Sequence, residues 1–198
     1  MSDFQVIPLP KPRLTGSMSV EEAIAKRRSI RRYQPQELTL EQISQLLWSA
    51  QGITGRKSML RAAPSAGGLH PLEFYLCRHD GIWHYEVEAH QLKWVAAEDV
   101  RKALGEAAWK QTFIGTAPCV FAVSAQFRRS TGTYGERGRH RYVPMDLGHA
   151  AENLLLQAVA LGLGAVVIAA FDDTKIAELL HLPANEEPLY LIPVGYPA

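Results

Sequence analysis

The feature that most constrains this chain is the stretch MDLGHAAENLLLQAVAL, residues 145–161. Leu147, Ala150, Ala151, Leu154, Leu155, Ala158 and Leu161 recur at helical spacing, and Leu156 and Val159 fall on other faces, so the helix is apolar nearly all round. Such a helix has to be buried inside a core or between subunits. With 198 residues, 47% hydrophobic and 21% charged, the chain is long enough to build that core as one domain. No segment reaches the roughly 18 uninterrupted apolar residues that a membrane span requires, so a cytoplasmic protein with no membrane partner is expected.

The flanking elements suggest how the helix is enclosed. Residues 1–17 hold three prolines and show neither helical nor strand period, which predicts an extended arm ahead of a single domain over 18–198. Ser19-Val20-Glu21-Glu22 is a capping box that opens a helix running to about Lys26. Thr39-Leu40-Glu41-Gln42 repeats the device, and Ile43, Leu46, Leu47 and Ala50 then form a buried stripe, with Gly52 placed for a left-handed cap. Residues 72–78 and 82–87 read as a hairpin turned at His79-Asp80-Gly81, with a further strand near 92–95. Residues 98–110 read as helix, and 119–125 (CVFAVSA) as a central strand. Residues 126–142, with three glycines among five arginines, read as a long loop or lid. The strand 165–170, the helix 174–180 and the strand 189–194 complete an order without a regular βαβ period, so the fold class is α+β.

Charge narrows the search for chemistry. The formal net charge is only +1, which gives no global footprint for nucleic acid. Residues 1–61, however, carry ten Lys and Arg against five Asp and Glu, while the remainder carries eleven against fifteen. The basic excess centres on Arg27-Arg28-Ser29-Ile30-Arg31-Arg32-Tyr33, which is either a solvated face or a phosphate clamp of bidentate guanidinium donors. The segment Pro64-Ser65-Ala66-Gly67-Gly68-Leu69-His70-Pro71 is either an ordinary turn or a loop whose small side chains admit a planar ligand or phosphate to the backbone amides. Its spacing matches neither dinucleotide fingerprint nor P-loop. Cys77 and Cys119 lie in apolar runs without metal-ligand spacing, so buried thiols and no metal site are expected. His149, within the long helix, reads as a satisfied interior residue.

Taken in order, RRSIRRY, LTLEQISQLLWSAQGIT, PSAGGLHPLEFYL, YGERGRHRY, DLGHAAENLLLQAVALGLGAVVIAAFDD and PLYLIPVGYP resemble the FMN-dependent nitroreductase superfamily, and more narrowly its SagB-type branch, which includes azoline dehydrogenases. The resemblance implies a nitroreductase-like fold, a mainly antiparallel central sheet flanked by helices, in a homodimer with FMN at the interface. It places Arg27, Arg28 and Ser29 at the FMN phosphate and ribityl chain, and Arg31 near the pyrimidine edge of the ring. Pro64, Ser65, Ala66 and Gly67 would line the flavin of the other subunit, and Val167, Ile168, Ala169 and Ala170 would pass along the ring, with an amide of Ala169 or Ala170 facing N5. NADH or NADPH is the implied electron donor and a small molecule the substrate.

This chemistry asks little of protein side chains, and neither G-x-S-x-G nor H-E-x-x-H occurs. Tyr134 is the candidate substrate-facing acid, against the reading that it decorates an exposed loop. The sequence departs from its relatives in three ways. Thr133-Tyr134 stands where azoline dehydrogenases have Lys-Tyr, Ala66-Gly67-Gly68 replaces an Asn or Thr of many nitroreductases, and no basic residue follows the last strand. The phosphate grip is therefore expected from the N-terminal arginines or the arginine-rich loop. Three functions follow: NAD(P)H-driven reduction of a nitroaromatic, quinone or enone; dehydrogenation of a peptide-derived or small heterocycle; and non-catalytic flavin binding.

Overall fold

The computed structural model describes residues 5–55 and 59–198. In chain order the elements are β1 (Val6–Pro8), α1 (Val20–Lys26), α2 (Leu40–Gln51), β2 (Ile53–Gly55), β3 (Leu60–Arg61), β4 (Leu72–Arg78), β5 (Gly81–Glu86), β6 (Gln91–Ala96), α3 (Arg101–Ala107), α4 (Phe113–Thr116), β7 (Cys119–Ala125), α5 (Phe127–Tyr134), α6 (Val143–Ala160), β8 (Gly164–Ala165), α7 (Asp173–Leu179) and β9 (Glu187–Gly195). Seven strands form one sheet in the order β1-β6-β5-β4-β7-β9-β8, and every named pairing in it is antiparallel. Strand β7 lies between β4 and β9 with all seven residues buried, which is why its sequence is apolar without alternation.

The sheet separates two cores by its period of two. Phe74 and Leu76 of β4, Phe121 and Val123 of β7, and Ile192 and Val194 of β9 face α2 and α6. Tyr75, Cys77, Val120, Ala122 and Leu191 face the opposite side, where Leu104, Ile114 and Ile176 come from α3, α4 and α7. Both cysteines are free and buried, and burial pushes the Cys77 thiol up to about 12, so it is inert at neutral pH. Glu186, also buried, accepts from the Tyr75 hydroxyl (2.9 Å), Ser124 Oγ (2.6 Å) and Gln126 Nε2 (3.1 Å), so three donors solvate the carboxyl.

Several elements depart from their sequence reading. The arm is extended, yet Val6–Pro8 pair with Gln91–Lys93 as an edge strand; such pairing needs only backbone groups and so leaves no period in a three-residue strand. The arm then crosses α2, where Ser44 Oγ donates to Pro10 O (2.5 Å) and Gln45 both accepts from Arg13 N (2.8 Å) and donates to Arg13 O (3.1 Å). Its first four residues lie outside the described ones. In α1 only half of the capping box forms, because the Glu22 carboxylate turns to Lys26 Nζ (2.6 Å). In α2 both halves form. The helix expected over 98–110 is confined to Arg101–Ala107.

Residues 126–142 are not a lid: Phe127–Tyr134 is α5, and Gly138–Tyr142 is a wide turn that runs straight into α6. Tertiary bonds supply what an apolar stripe would have supplied. Arg129 reaches His70 O (2.9 Å) and Glu73, while Arg139 stacks 4.2 Å over the Phe127 ring and pairs with Glu187. The run 165–170 is strand only at Ala165, with Ile168 returning to bridge Leu191, because the chain turns Val166 and Ile168 into the second core. Helix α6 itself buries one face, leaving Met145, Gly148, His149 and Glu152 exposed, so His149 is a surface residue and not an interior one.

Gly52 does not adopt a left-handed cap, since its φ is −61°. A Cβ there would lie 2.1 Å from Trp48 Cδ1 and 2.7 Å from Trp48 O, so close packing under the indole explains the glycine. Gly52→Ala is expected to cost about 1–3 kcal/mol, the usual penalty of overpacking, read as a fall in the denaturation midpoint at unchanged m-value.

Candidate flavin site

The predicted site residues gather into two groups. In the first, the segment after α1 lies beside β8: Ser29 and Ala165 form a parallel bridge, and Ile30 N donates to Ala165 O (3.1 Å). Gly164 permits this approach, because a Cβ on it would lie 2.7 Å from three carbons of Ile30. The segment that carries Arg27, Arg28, Ser29 and Arg31 is thereby held against Gly164 and Ala165, the strand from which Val167, Ile168, Ala169 and Ala170 continue. Arg27 Nε lies 3.8 Å from the exposed Glu152 carboxylate of α6, and Arg31 sits 6.0 Å above the Phe113 ring. Arg28 turns back, donating to Ala25 O (3.0 Å) and Arg27 O (2.6 Å) at the end of α1. Ala169 and Ala170 are exposed, beyond Ile168, whose own amide bonds Leu191 O (2.9 Å).

The second group surrounds the loop Pro64–Gly67. Ser65 Oγ donates to Asp146 Oδ2 of α6 (2.5 Å) and accepts from His70 N (2.9 Å), and Ala66 N donates to Asp146 Oδ1 (3.2 Å). Gly67, at φ 63°, adopts a conformation that few other residues accept. Tyr134 comes down on it from α5: a Cβ at Gly67 would lie 2.7 Å from the phenol oxygen. The Tyr134 ring also meets Tyr142 edge to face at 4.8 Å, and Arg137 lies 6.0 Å over Tyr142. Tyr134 is thus half-buried in an aromatic cluster beside the loop, not loose on a lid.

Asp146 is the residue that reading the sequence left out, and His70 figures in that reading only as part of its loop. Asp146 is only 5% exposed, and a single Asp in the first turn of an apolar helix carries no signal for a contact 80 positions away. His70 is held at φ 45°, with a buried Nδ1 that has no partner among the described residues. Burial, then the charges of Arg61 and Arg129, lower its pKa. No hydrogen bond or ion pair joins the two groups within the described residues, although both touch α6, at Asp146 and at Glu152. No cluster of metal-ligating side chains occurs among those residues, and none of their helices is long and apolar enough to cross a membrane.

Helix α5, and with it Tyr134, is fastened by one ion-paired cluster. Glu73 meets Arg129 Nη2 (2.6 Å) and His84 Nε2 (2.8 Å). Burial alone would raise the Glu73 pKa, but His84 and Arg129 outweigh it and hold the carboxyl below its ordinary value. The stability this gives is complete above the unfolded value of about 4.3 and is lost as pH falls through the lower folded value. Arg129→Met is expected to cost roughly 1.5–3 kcal/mol at neutral pH and to move the onset of acid unfolding upward, measured by denaturation between pH 3 and 7.

Comparison with known proteins identifies the family and the fold. The profile of the Nitroreductase family matches residues 24–196. A protein of Methanocaldococcus jannaschii that bears the name of a nitroreductase is 40% identical over 201 residues, covering 98% of each chain. The trifolitoxin-processing protein of Rhizobium leguminosarum bv. trifolii is 35% identical over 165 residues, 75% of this chain and 44% of that one. A crystal structure described as a nitroreductase, from Ralstonia eutropha, superposes with a TM-score of 0.90 at 31% identity over all of this chain and 92% of the other. The chain belongs to the nitroreductase family of flavin-dependent oxidoreductases.

Proposed function

We propose that the chain binds FMN, accepts electrons from NADH or NADPH, and delivers them to a small oxidised acceptor such as a nitroaromatic, quinone or enone. The observation that carries this reading is the pairing of the Arg27–Arg31 segment with Ala165, at the start of the stretch that continues into Val167–Ala170. One side offers guanidinium donors, of which Arg27 has only a 3.8 Å contact to an exposed carboxylate; the other offers exposed backbone at Ala169 and Ala170. That donor set fits a phosphate at one end and a hydrogen-bonding ring edge at the other. When bound, the flavin supplies the two-electron chemistry, with donor and acceptor reacting in turn. The chain's part is to grip the phosphate and ribityl chain through Arg27, Ser29 and an Arg28 that leaves Ala25 O and Arg27 O, to meet the pyrimidine edge of the ring with Arg31, to aim a backbone amide of Ala169 or Ala170 at the ring, and to wall the substrate side with Tyr134.

The two groups being separate within one protomer supports a homodimer in which the Pro64–Gly67 loop of each chain completes the site of the other. Leu14 and Val20 are exposed and line a cavity of about 400 Å³ together with Trp48, Leu156, Ala160 and Leu161, and Ile24 is exposed on the same helix as Val20. A second protomer would cover this apolar ground.

The purified protein is expected to be yellow, to release FMN and not FAD on denaturation, to bleach under anaerobic NADH or NADPH, and to elute at twice 22.0 kDa. A colourless protein that ignores added FMN overturns the reading. Arg27→Ala should weaken FMN binding about ten- to hundred-fold, as expected for one charge-assisted phosphate contact, with little change in unfolding because its ion pair is solvent-exposed.

The 35% identity to the trifolitoxin-processing protein favours a second reading, dehydrogenation of a peptide-derived heterocycle. Tyr134→Phe separates the two. Reduction can draw its protons from solvent, so a loss below about ten-fold in quinone or nitroaromatic turnover is expected, against the 10²–10⁴-fold effect typical of a lost acid or base. A collapse of two orders of magnitude with FMN retained would favour the dehydrogenase.

A further inference from the structure

Asp146 is a buried carboxylate with no ion-pair partner among the described residues. Among the described residues its partners are the Ser65 hydroxyl on Oδ2 (2.5 Å) and the Ala66 amide on Oδ1 (3.2 Å), and Ser65 Oγ in turn accepts from His70 N (2.9 Å). One side chain of α6 therefore fixes both ends of the Ser65–His70 loop, the near end directly and the far end through Ser65. The loop needs such a brace. Gly67, Gly68 and His70 stand at φ 63°, 65° and 45°, and a His at positive φ persists only where its surroundings over-determine it. Ser65 has no donor to spare, because its one proton goes to Asp146 and one of its two lone pairs takes the His70 amide.

We propose that Asp146 is a positioning residue, setting the conformation in which the Ala66–Gly67 backbone meets the flavin, and that Ser65 acts as its relay and not as a flavin ligand. This rests on the reading that the loop faces FMN. The residue touching cofactor would be the loop backbone, and the residue determining where that backbone lies would be on the helix that also carries Glu152 beside Arg27.

A double-mutant cycle on FMN affinity tests the assignment, using the full-length parent, Asp146→Asn, Ser65→Ala and the double variant, titrated with FMN by quenching of flavin fluorescence. The parent comes first: if it binds no FMN, the functional reading fails, and the brace is then judged in the flavin-free protein as below. With FMN bound by the parent, Asp146→Asn is expected to raise its Kd about ten-fold or more, and Ser65→Ala is expected to matter in the parent but not in the Asp146→Asn background. A merely structural role lowers the melting temperature without this coupling. An unchanged Kd in Asp146→Asn, or equal Ser65→Ala effects in both backgrounds as for a direct flavin ligand, overturns the proposal while leaving FMN binding intact. Amide hydrogen exchange of the flavin-free parent and of Ser65→Ala supplies the measurement should Asp146→Asn not fold. The Ala66 and His70 amides are expected to be protected in the parent, with His70 losing protection in Ser65→Ala; fast exchange of both in the parent, or an unaltered His70 in the variant, overturns it.

Discussion

The rest of the structure hangs on the packing of α6 against the sheet and α2. Leu147, Ala150, Ala151, Leu154, Leu155 and Ala158 interlock with Ile43, Leu46, Leu47 and Ala50, and fully burying each large aliphatic side chain is worth about 1.5–3 kcal/mol. The alanines matter as much as the leucines, because they let the two helices and the strands approach closely enough to exclude water. Once α6 is fixed in this way, its remaining faces become a ruler. Asp146 takes the loop Ser65–Ala66, Asn153 takes Ala62 O (3.4 Å), Glu152 stands beside Arg27, and Gln157 meets Gln45 under the arm (3.1 Å).

That ruler explains why the candidate site residues fall into two separate groups. At about 1.5 Å per residue, Asp146 and Glu152 are roughly 9 Å apart along the helix axis, so one rigid element sets the spacing between the loop and the arginine segment. The arginine half gains further definition from Gly164, whose missing Cβ lets Ile30 close on β8. The loop half gains it from Arg129, which ties His70 O to Glu73 and so links α5, the loop and the sheet. Polar side chains do this locating work, and each is satisfied by named partners. The exception is the buried His70 Nδ1, which is without a partner among the described residues.

Much of the framework was legible in the chain. The two capping sequences start helices at Val20 and Leu40, the apolar run 119–125 is the central strand, and the hairpin turns at His79-Asp80 with Gly81 at φ 130°. These signals are local: a cap reads three residues ahead, and strand burial appears in the composition of the strand itself. Helix α5 escaped because its residues, FRRSTGTY, carry no apolar stripe and are held by Arg129 and Arg139 reaching partners 48 to 59 positions away. The short reach of β8 escaped for a related reason, since an apolar hexapeptide does not reveal where its backbone leaves the ladder.

By itself, then, the sequence determined the α+β class, most of the element order and the existence of the long apolar helix, because each is written in period, capping or short-range pattern, while its motifs point to a flavin oxidoreductase through their resemblance to a known family. Only the tertiary structure decided that Ser65 is spent on Asp146, that Tyr134 rests against Gly67, that Arg28 turns back onto α1, and that His149 faces outward. Those facts depend on which faces of distant elements meet, and that is settled by packing a three-dimensional core to close density, a constraint with no counterpart along the chain.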